Sequence, residues 1–161
     1  MADEQEIPVP GTVRGVGPVS HAIFRVARLH KMFAGQLLRE TGLYPGQELL
    51  MMRLWDEGPQ RQVDLVRTLD SDAPTVARSI GRLEQAGFVR RRPHASDKRS
   101  MLIEATPASM SLRRTVERIW ARLEELTVDA MSHEDQAAAL GVLAGLEQNL
   151  LAAERARAVC S

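Results

Sequence analysis

The change of hydrophobic period at Gly87 constrains the fold of this chain more than any other feature of its sequence. Before Gly87 the apolar residues recur at helical spacing, which predicts an amphipathic helix over residues 73–86. The apolar face of that helix carries Ala73, Val76, Ile80 and Leu83. After Gly87 the period shortens, and two strands are predicted at 88–92 and 100–105. The seven-residue loop PHASDKR between them is too long for a tight turn, so the hairpin should carry a projecting tip.

An arm and three helices are predicted ahead of this unit. Residues 1–18 are rich in proline and glycine, which disfavour both helix and strand, and they predict a mobile or extended arm. A first helix runs from Pro18, a favoured first residue, to Gly42. A second helix is predicted at 46–57 and a short third helix at 62–69. The second is apolar nearly all round and should be buried. Its large core candidates are Met51, Met52 and Trp55.

Two long helices are predicted after the hairpin. Thr106-Pro107 begins the first, which runs to about Ala130, and a capping box from Ser132 to Asp135 begins the second. Both carry apolar stripes. The stripe of the last helix consists of Leu140, Leu143, Leu146 and Leu150. A domain of about 80 residues built around the hairpin cannot cover stripes roughly 36 Å long, so we expect a second copy of the chain to cover them.

Composition excludes some classes of protein and some compartments. No apolar run approaches the ~18 residues that a membrane span needs. The acidic N-terminus lacks the apolar region of a signal peptide. The single cysteine, Cys160, cannot form an internal disulfide, which favours a reducing compartment. We therefore expect a cytoplasmic protein without membrane contact.

Basic charge is concentrated locally rather than spread over the chain. The 21 basic and 21 acidic residues cancel, so no general attraction to nucleic acid is expected. Residues 90–99 nevertheless hold four arginines, a histidine and a lysine against a single acid, Asp97. Such a loop indicates a local anionic partner. For Arg90 to Arg92 a solvated edge strand, protected from aggregation by its charges, is an equally good explanation.

The sequence contains no recognisable catalytic or metal-binding motif. The four histidines are scattered, and none has metal-ligand spacing with a cysteine or acid partner. There is no nucleophile elbow, phosphate-binding loop or dinucleotide fingerprint. We therefore expect no enzymatic activity, no metal and no cofactor.

The order of the elements predicts a mainly α-helical fold containing a winged helix-turn-helix. The major groove of DNA admits one helix, which a short helix packed across it holds in position. The polar edge of helix 73–86, with Thr75 and Arg78 near its start, suits base contact because arginine grips guanine well. Arg99 at the hairpin tip suits insertion into the minor groove, where the potential is most negative.

From about residue 20 to its end, the chain resembles the MarR family of bacterial transcriptional regulators. TVARSIGRLEQAGFVRRRP resembles the family's recognition helix and strand, and GQELLMMRLWDEGPQRQVDLVRTLD resembles the helix pair before it. The family's D-x-R wing signature stands here as Asp97-Lys98-Arg99. The resemblance implies a homodimer, with residues 43–106 as the DNA-binding domain and residues 19–42 and 107–156 as the helical dimerisation region.

The resemblance also implies a set of DNA-contacting residues. Pro74, Thr75 and Arg78 would face the major groove, and Arg99 would enter the minor groove. Asp97 would fix the geometry of the wing by pairing with a nearby arginine. The candidates for phosphate or groove-edge contact are Ser71, Arg82, His94 and Lys98.

Regulation by a small molecule is a further implication of the resemblance. Many such proteins repress genes and release DNA when a small, often aromatic or phenolic, ligand enters a cleft beside the DNA-binding lobe. We expect a repressor on a pseudo-palindromic operator, with helix 73–86 in the major groove and the wing 93–99 at the minor groove. The effector-binding residues are not predicted. The neutral net charge favours the alternative, a winged-helix module for protein–protein contact without sequence-specific DNA binding.

Two positions depart from the family's pattern. Tyr44 stands where the family usually has threonine, which removes a good helix N-cap and signals an altered cleft. Ser109 stands in place of a glycine after the wing. Neither position faces a groove. Trp120 lies off the main stripe of its helix, and we expect it to pack rather than to sense a ligand.

Overall fold

The structure, a computed structural model, describes residues 15–69, 71–97 and 99–159. The predictions for most of the N-terminal arm, for Lys98 and for Cys160 lie outside the described residues. The described part contains six α-helices and three short strands, and the mainly α-helical fold is confirmed. The helices are α1 (Pro18–Leu38), α2 (Gln47–Glu57), α3 (Gln62–Thr68), α4 (Ala73–Gln85), α5 (Met110–Thr127) and α6 (His133–Val159). The strands are β1 (Gln60–Arg61), β2 (Val89–Pro93) and β3 (Met101–Ala105).

The transition at Gly87 is confirmed in detail. Gly87 has a φ of 80°, the left-handed conformation that glycine adopts without steric cost. Its N–H donates to the carbonyl of Glu84 (3.0 Å), and the N–H of Phe88 donates to that of Leu83 (2.9 Å). These two bonds form a Schellman motif, which ends α4 and sends the chain into β2. Since Phe88 is used in this cap, β2 begins one residue later than predicted.

A third strand, β1, was missed by the sequence analysis. The sheet order is β1-β3-β2, and Gln60 and Arg61 pair antiparallel with Ile103 and Leu102. Two polar residues carry no alternating pattern, so periodicity cannot reveal a strand of this length. The other edge of β3 pairs with β2 from Val89↔Ala105 to Pro93↔Met101, which forms the predicted hairpin.

The chain divides into two compact units at Leu123. The first has an aliphatic core in which Met51, Leu65, Ile80 and Ile103 are completely buried. Trp55 and Met52 pack against this core as predicted. Ala73 does not: it is exposed in the first turn of α4, although the sequence predicts it on the buried face.

The helix after the wing begins at Pro107 as predicted, with Thr106 in the N-cap position, but its first turn is not α-helical. Residues 107–109 form a 3₁₀ turn, and the α-helix begins only at Met110. Ser109 is completely buried in this turn. Its hydroxyl donates to the carbonyl of Thr106 (2.7 Å) and accepts the indole N–H of Trp55 (3.0 Å). The serine that replaces the family's glycine therefore links the turn to α2.

The second unit contains the end of α5 and the long helix α6. The predicted capping residue is confirmed, since the Ser132 hydroxyl accepts the N–H of Asp135 (3.1 Å) at the start of α6. None of the residues of α6 is buried. Leu140, Leu143 and Leu150 of the predicted stripe are 68%, 58% and 69% exposed.

Ser109→Ala should lower the free energy of unfolding by about 1–3 kcal/mol, because it leaves the half-buried indole N–H of Trp55 without its acceptor. Urea unfolding at one fixed protein concentration measures the difference. Ser111→Ala is the matched control, since that hydroxyl is exposed, and its effect should stay within about 0.5 kcal/mol. Equal losses in the two variants would contradict the role of the Trp55–Ser109 bond.

Candidate nucleic-acid interface

The outward edge of α4, defined here as Pro74, Arg78, Gly81 and Gln85, is exposed along its whole length. The opposite face holds Val76, Ile80 and Leu83, which are at most 2% exposed. This division follows from the 3.6-residue period, because core residues three and four apart turn the intervening residues to solvent. The predicted base-contacting side of the helix is therefore accessible.

The start of α4 is held by a side-chain cap. Asp72 precedes the helix, and its carboxylate accepts the backbone N–H of Thr75 (2.7 Å). That bond lowers the pKa of Asp72, with a smaller contribution from the Thr75 side chain. The Arg78 guanidinium donates to the Thr75 hydroxyl (3.0 Å), one turn along the helix. Thr75 is only half-buried and so lies at the border between the outward edge and the interior.

The wing loop is closed by hydrogen bonds of its own. The N–H of His94 donates to the carbonyl of Ser100 (2.9 Å), and the N–H of Ser100 donates to that of Asp97 (3.0 Å). The Asp97 carboxylate accepts the backbone N–H of Arg99 (3.1 Å). The sequence had predicted a pair with an arginine side chain, and among the described residues no such pair is formed. Asp97 thus shapes the tip that presents the exposed Arg99.

The three arginines of β2 are occupied by internal partners. Arg90 and Arg92 both pair with Glu104 on β3, the latter at 2.6 Å. Their hydrogen bonds, that from Arg90 first, lower the pKa of Glu104. Arg91 contacts Glu84 (3.4 Å). Since β2 is an outer strand of the sheet, these pairs favour the edge-strand explanation for this run.

Arg82 and Ser71, two of the predicted phosphate contacts, have neighbours that the sequence did not reveal. The Arg82 guanidinium lies over the ring of Tyr44, 4.3 Å from its centroid. Ser71 is half-buried and lines a cavity. His94 accepts the N–H of Ser96 at its Nδ1 atom (3.2 Å), so that nitrogen is engaged within the loop.

A cavity of about 390 Å³ lies between α1, α2, α4 and α5 of the first unit. Sequence reasoning named none of its residues as a ligand site. It is lined by His30, Lys31, Ala34, Pro45, Gly46, Glu48, Leu49, Leu50, Leu69, Ser71, Thr75, Val76, Ser79 and Trp120. Because the lining contains both polar and apolar side chains, the cavity can hold a small molecule that has both polar and apolar groups. Trp120 packs against the core, as predicted, and also lines this space.

Two groups give the cavity its chemical character. The rings of His30 and Trp120 meet edge to face, with centroids 6.3 Å apart. Glu48 is 5% exposed, and its carboxylate accepts the N–H of Gly46 (2.7 Å). Burial raises the pKa of Glu48, while its backbone hydrogen bonds and the charge of Lys31 act in the opposite direction.

The described residues contain no group of three histidines, cysteines or acids arranged to hold a metal ion. None of the helices within them combines the length and apolar character required for crossing a membrane.

Comparison with known proteins assigns the chain to a family. The sequence model of the MarR family matches residues 43–101. The HTH-type transcriptional regulator YwoH of Bacillus subtilis (strain 168) is 33% identical over 116 residues, which cover 72% of this chain and 77% of YwoH. This chain belongs to the MarR family.

Solved structures show that the MarR fold is shared. BpsR of Bordetella bronchiseptica, whose DNA binding is regulated by 6-hydroxynicotinic acid, matches with a TM-score of 0.76 at 21% identity, over 86% of this chain and 98% of BpsR. A cysteine-to-serine mutant of MarR from E. coli, complexed with operator DNA, matches with a TM-score of 0.74 at 18% identity, over 83% and 96%. With the family match, the chain is a MarR-type transcriptional regulator with a winged-helix fold for DNA binding.

Tyr44 and Ser109, the two residues that depart from the MarR pattern, both lie among local hydrogen bonds. At the start of α2 the N–H of Tyr44 donates to the Gln47 side chain, and that of Gly46 donates to the Glu48 side chain. Ser109 serves as the acceptor for Trp55. Both replacements are therefore accommodated by hydrogen bonds that do not involve the outward edge of α4.

Proposed function

We propose that this protein is a homodimeric repressor that binds a pseudo-palindromic double-stranded operator. Residues 43–106 serve as its DNA-binding domain, with the predicted helix 73–86 in the major groove and the wing 93–99 at the minor groove. The observation that carries this proposal is the outward edge of α4, which is exposed along its whole length while the opposite face of the helix is buried. The complex of the E. coli MarR mutant with operator DNA supports it.

The proposed contacts divide into base, groove and phosphate roles. Arg78 reads a base edge beside Pro74 and Thr75, because it lies in the first half of the helix, where such contacts concentrate. Arg99 enters the minor groove, and Asp97 supports this by shaping the loop. The phosphate or groove-edge contacts are Ser71, Arg82, His94 and Lys98.

Arg78→Ala should relax sequence preference at one base position and cost about 1–3 kcal/mol there, because a base contact is lost. Lys98→Ala should weaken binding to all sequences alike and make the log–log salt slope shallower by about one, because a phosphate contact is lost. Titration of a duplex selected from random DNA, and of its base-substituted variants, at several salt concentrations separates the two effects.

Arg114→Ala is the matched control, since it removes one exposed positive charge from α5, which belongs neither to α4 nor to the wing. It should change neither preference nor slope. Uniform losses from both Arg78→Ala and Lys98→Ala would contradict the division of roles. A flat salt response of the wild-type chain would favour the alternative, a module for protein–protein contact.

Exposed apolar residues support the proposed homodimer. On α1 the exposed large apolar side chains are Val19, Ile23, Phe24, Val26, Leu29, Met32 and Phe33. On α6 they are Leu140, Val142, Leu143, Leu150, Leu151 and Val159. Single exposed apolar residues are ordinary, but runs of this length mark a surface that a partner covers. A second copy related by two-fold symmetry would also set two recognition helices one DNA turn apart, about 34 Å.

Sedimentation should find a dimer at micromolar concentration, and Leu143→Glu should shift it toward monomer, because a charge in an apolar interface is costly. Gln148→Glu adds the same charge at a polar position of α6 and should leave the dimer intact. A wild-type monomer under these conditions would count against the homodimer. So would equal effects of the two variants.

The cavity is proposed as the effector site, and the effector as a small aromatic or phenolic molecule. The His30 and Trp120 rings suit an aromatic ring, and the hydroxyls of Ser71, Thr75 and Ser79 suit a phenol. Since Thr75 and Ser79 belong to α4, an occupant would act directly on the recognition helix. The ligand of BpsR is of this chemical kind. The protein would then act in the cytoplasm, releasing DNA on ligand binding without a metal or a cofactor.

Titration with 6-hydroxynicotinic acid and a panel of simple phenols should quench tryptophan fluorescence, because Trp120 lines the cavity. Trp120→Phe should remove the quenching. Trp55→Phe is the matched control and should retain it, since Trp55 lies outside the lining. Failure of every panel member to quench the fluorescence and to release bound DNA would contradict an aromatic or phenolic effector.

A further inference from the structure

Tyr44 is an aromatic residue that is 57% exposed on the loop between α1 and α2. The loop beneath its ring is nevertheless firmly held. The N–H of Tyr44 donates to the Gln47 side-chain oxygen (2.9 Å), and its carbonyl accepts the N–H of Gln47 (3.0 Å). Gln47 is 3% exposed, and the preceding residue, Leu43, is 8% exposed. The two buried neighbours, Leu43 and Gln47, therefore fix the backbone that carries this exposed ring.

Arg82 stacks on the ring of Tyr44. Its guanidinium carbon lies 4.3 Å from the ring centroid, within the range of a cation–π interaction. Ion pairs among the described residues engage Arg90, Arg91 and Arg92 but leave Arg82 without a carboxylate. Stacking occupies the flat face of a guanidinium and leaves its N–H edge available to acceptors. Arg82 is therefore a positioned but uncompensated positive charge on α4.

We propose that Tyr44 is a positioning residue for DNA binding, whose ring holds the Arg82 guanidinium against a backbone phosphate beside the groove that α4 enters. This inference rests on the proposed function. A phosphate is favoured over a base because Arg82 lies in the last turn of α4, whereas helices of this motif present their N-terminal residues to bases. Arginine binds phosphate oxygens through two parallel N–H bonds, and prior stacking reduces the side-chain entropy lost in forming them.

A phosphate contact can be tested without knowledge of the operator, because phosphates carry no sequence information. The probe is a pool of randomised duplexes of about 30 base pairs, long enough for two half-sites one helical turn apart. The variants are Tyr44→Ala, Tyr44→Phe, Arg82→Ala and the Tyr44→Ala/Arg82→Ala double variant. Circular dichroism of each checks that the fold is retained. Arg114→Ala again controls for the loss of one exposed charge.

Tyr44→Ala should weaken binding about two- to fivefold, the effect of one exposed cation–π contact, without changing the salt slope, because the charge remains. Tyr44→Phe should bind like the wild type, since the phenyl ring preserves the stack. Arg82→Ala should weaken binding and make the slope shallower by about one. In the Arg82→Ala background, Tyr44→Ala should cause no further loss, because Tyr44 acts only through Arg82.

Three results would overturn the inference while leaving the proposed function intact. The first is a loss of DNA affinity from Tyr44→Ala that is equally large in the Arg82→Ala background. The second is an equal loss of affinity from Tyr44→Phe. The third is a salt slope of Arg82→Ala that equals the slope of the wild type. The first two would assign Tyr44 a contact of its own or a structural role in the loop. A wild-type chain that binds none of the duplexes would overturn the proposed function and this inference together.

Discussion

Docking of one face of α4 into the aliphatic core is the interaction on which the rest of this molecule depends. A helix of 13 residues is marginal in water by itself. Burial of Val76, Ile80 and Leu83 stabilises it by about 1.5–3 kcal/mol per side chain. The same burial fixes the rotation of the helix about its axis. It therefore also decides that Arg78 and the rest of the outward edge meet solvent.

The distribution of ion pairs explains how a chain with no net charge can present a positive surface to an anionic partner. The three arginines of β2 share two carboxylates, those of Glu104 and Glu84, which offset most of their positive charge. Arg78 instead contacts a neutral hydroxyl, and Arg82 contacts an aromatic ring. Positive charge is thus left available on α4 and at the wing tip, even though the 21 basic and 21 acidic residues of the chain cancel.

Local patterns predicted the winged helix-turn-helix well and its surroundings less well. The helices α3 and α4 and the Schellman turn at Gly87 lie within a residue or two of their predicted positions, because each is specified by neighbours a few positions away. The strand β1 was missed because its existence depends on a free edge of β3, some 40 residues later. The exposure of Ala73 was missed because a helical period predicts which face of α4 is apolar but not whether the first turn of the helix reaches the core.

The sequence by itself determined the order of the helices and the wing hairpin, most of the buried face of α4 and the arginine at the wing tip, since periodicity and turn chemistry act over a few residues. Tertiary structure decided which arginines are neutralised, that Tyr44 supports Arg82, and that α1, α2, α4 and α5 enclose a cavity. The reason is one of distance. Ion pairs, ring stacking and empty space depend on separations of a few ångströms between residues dozens of positions apart, and no local pattern encodes those separations.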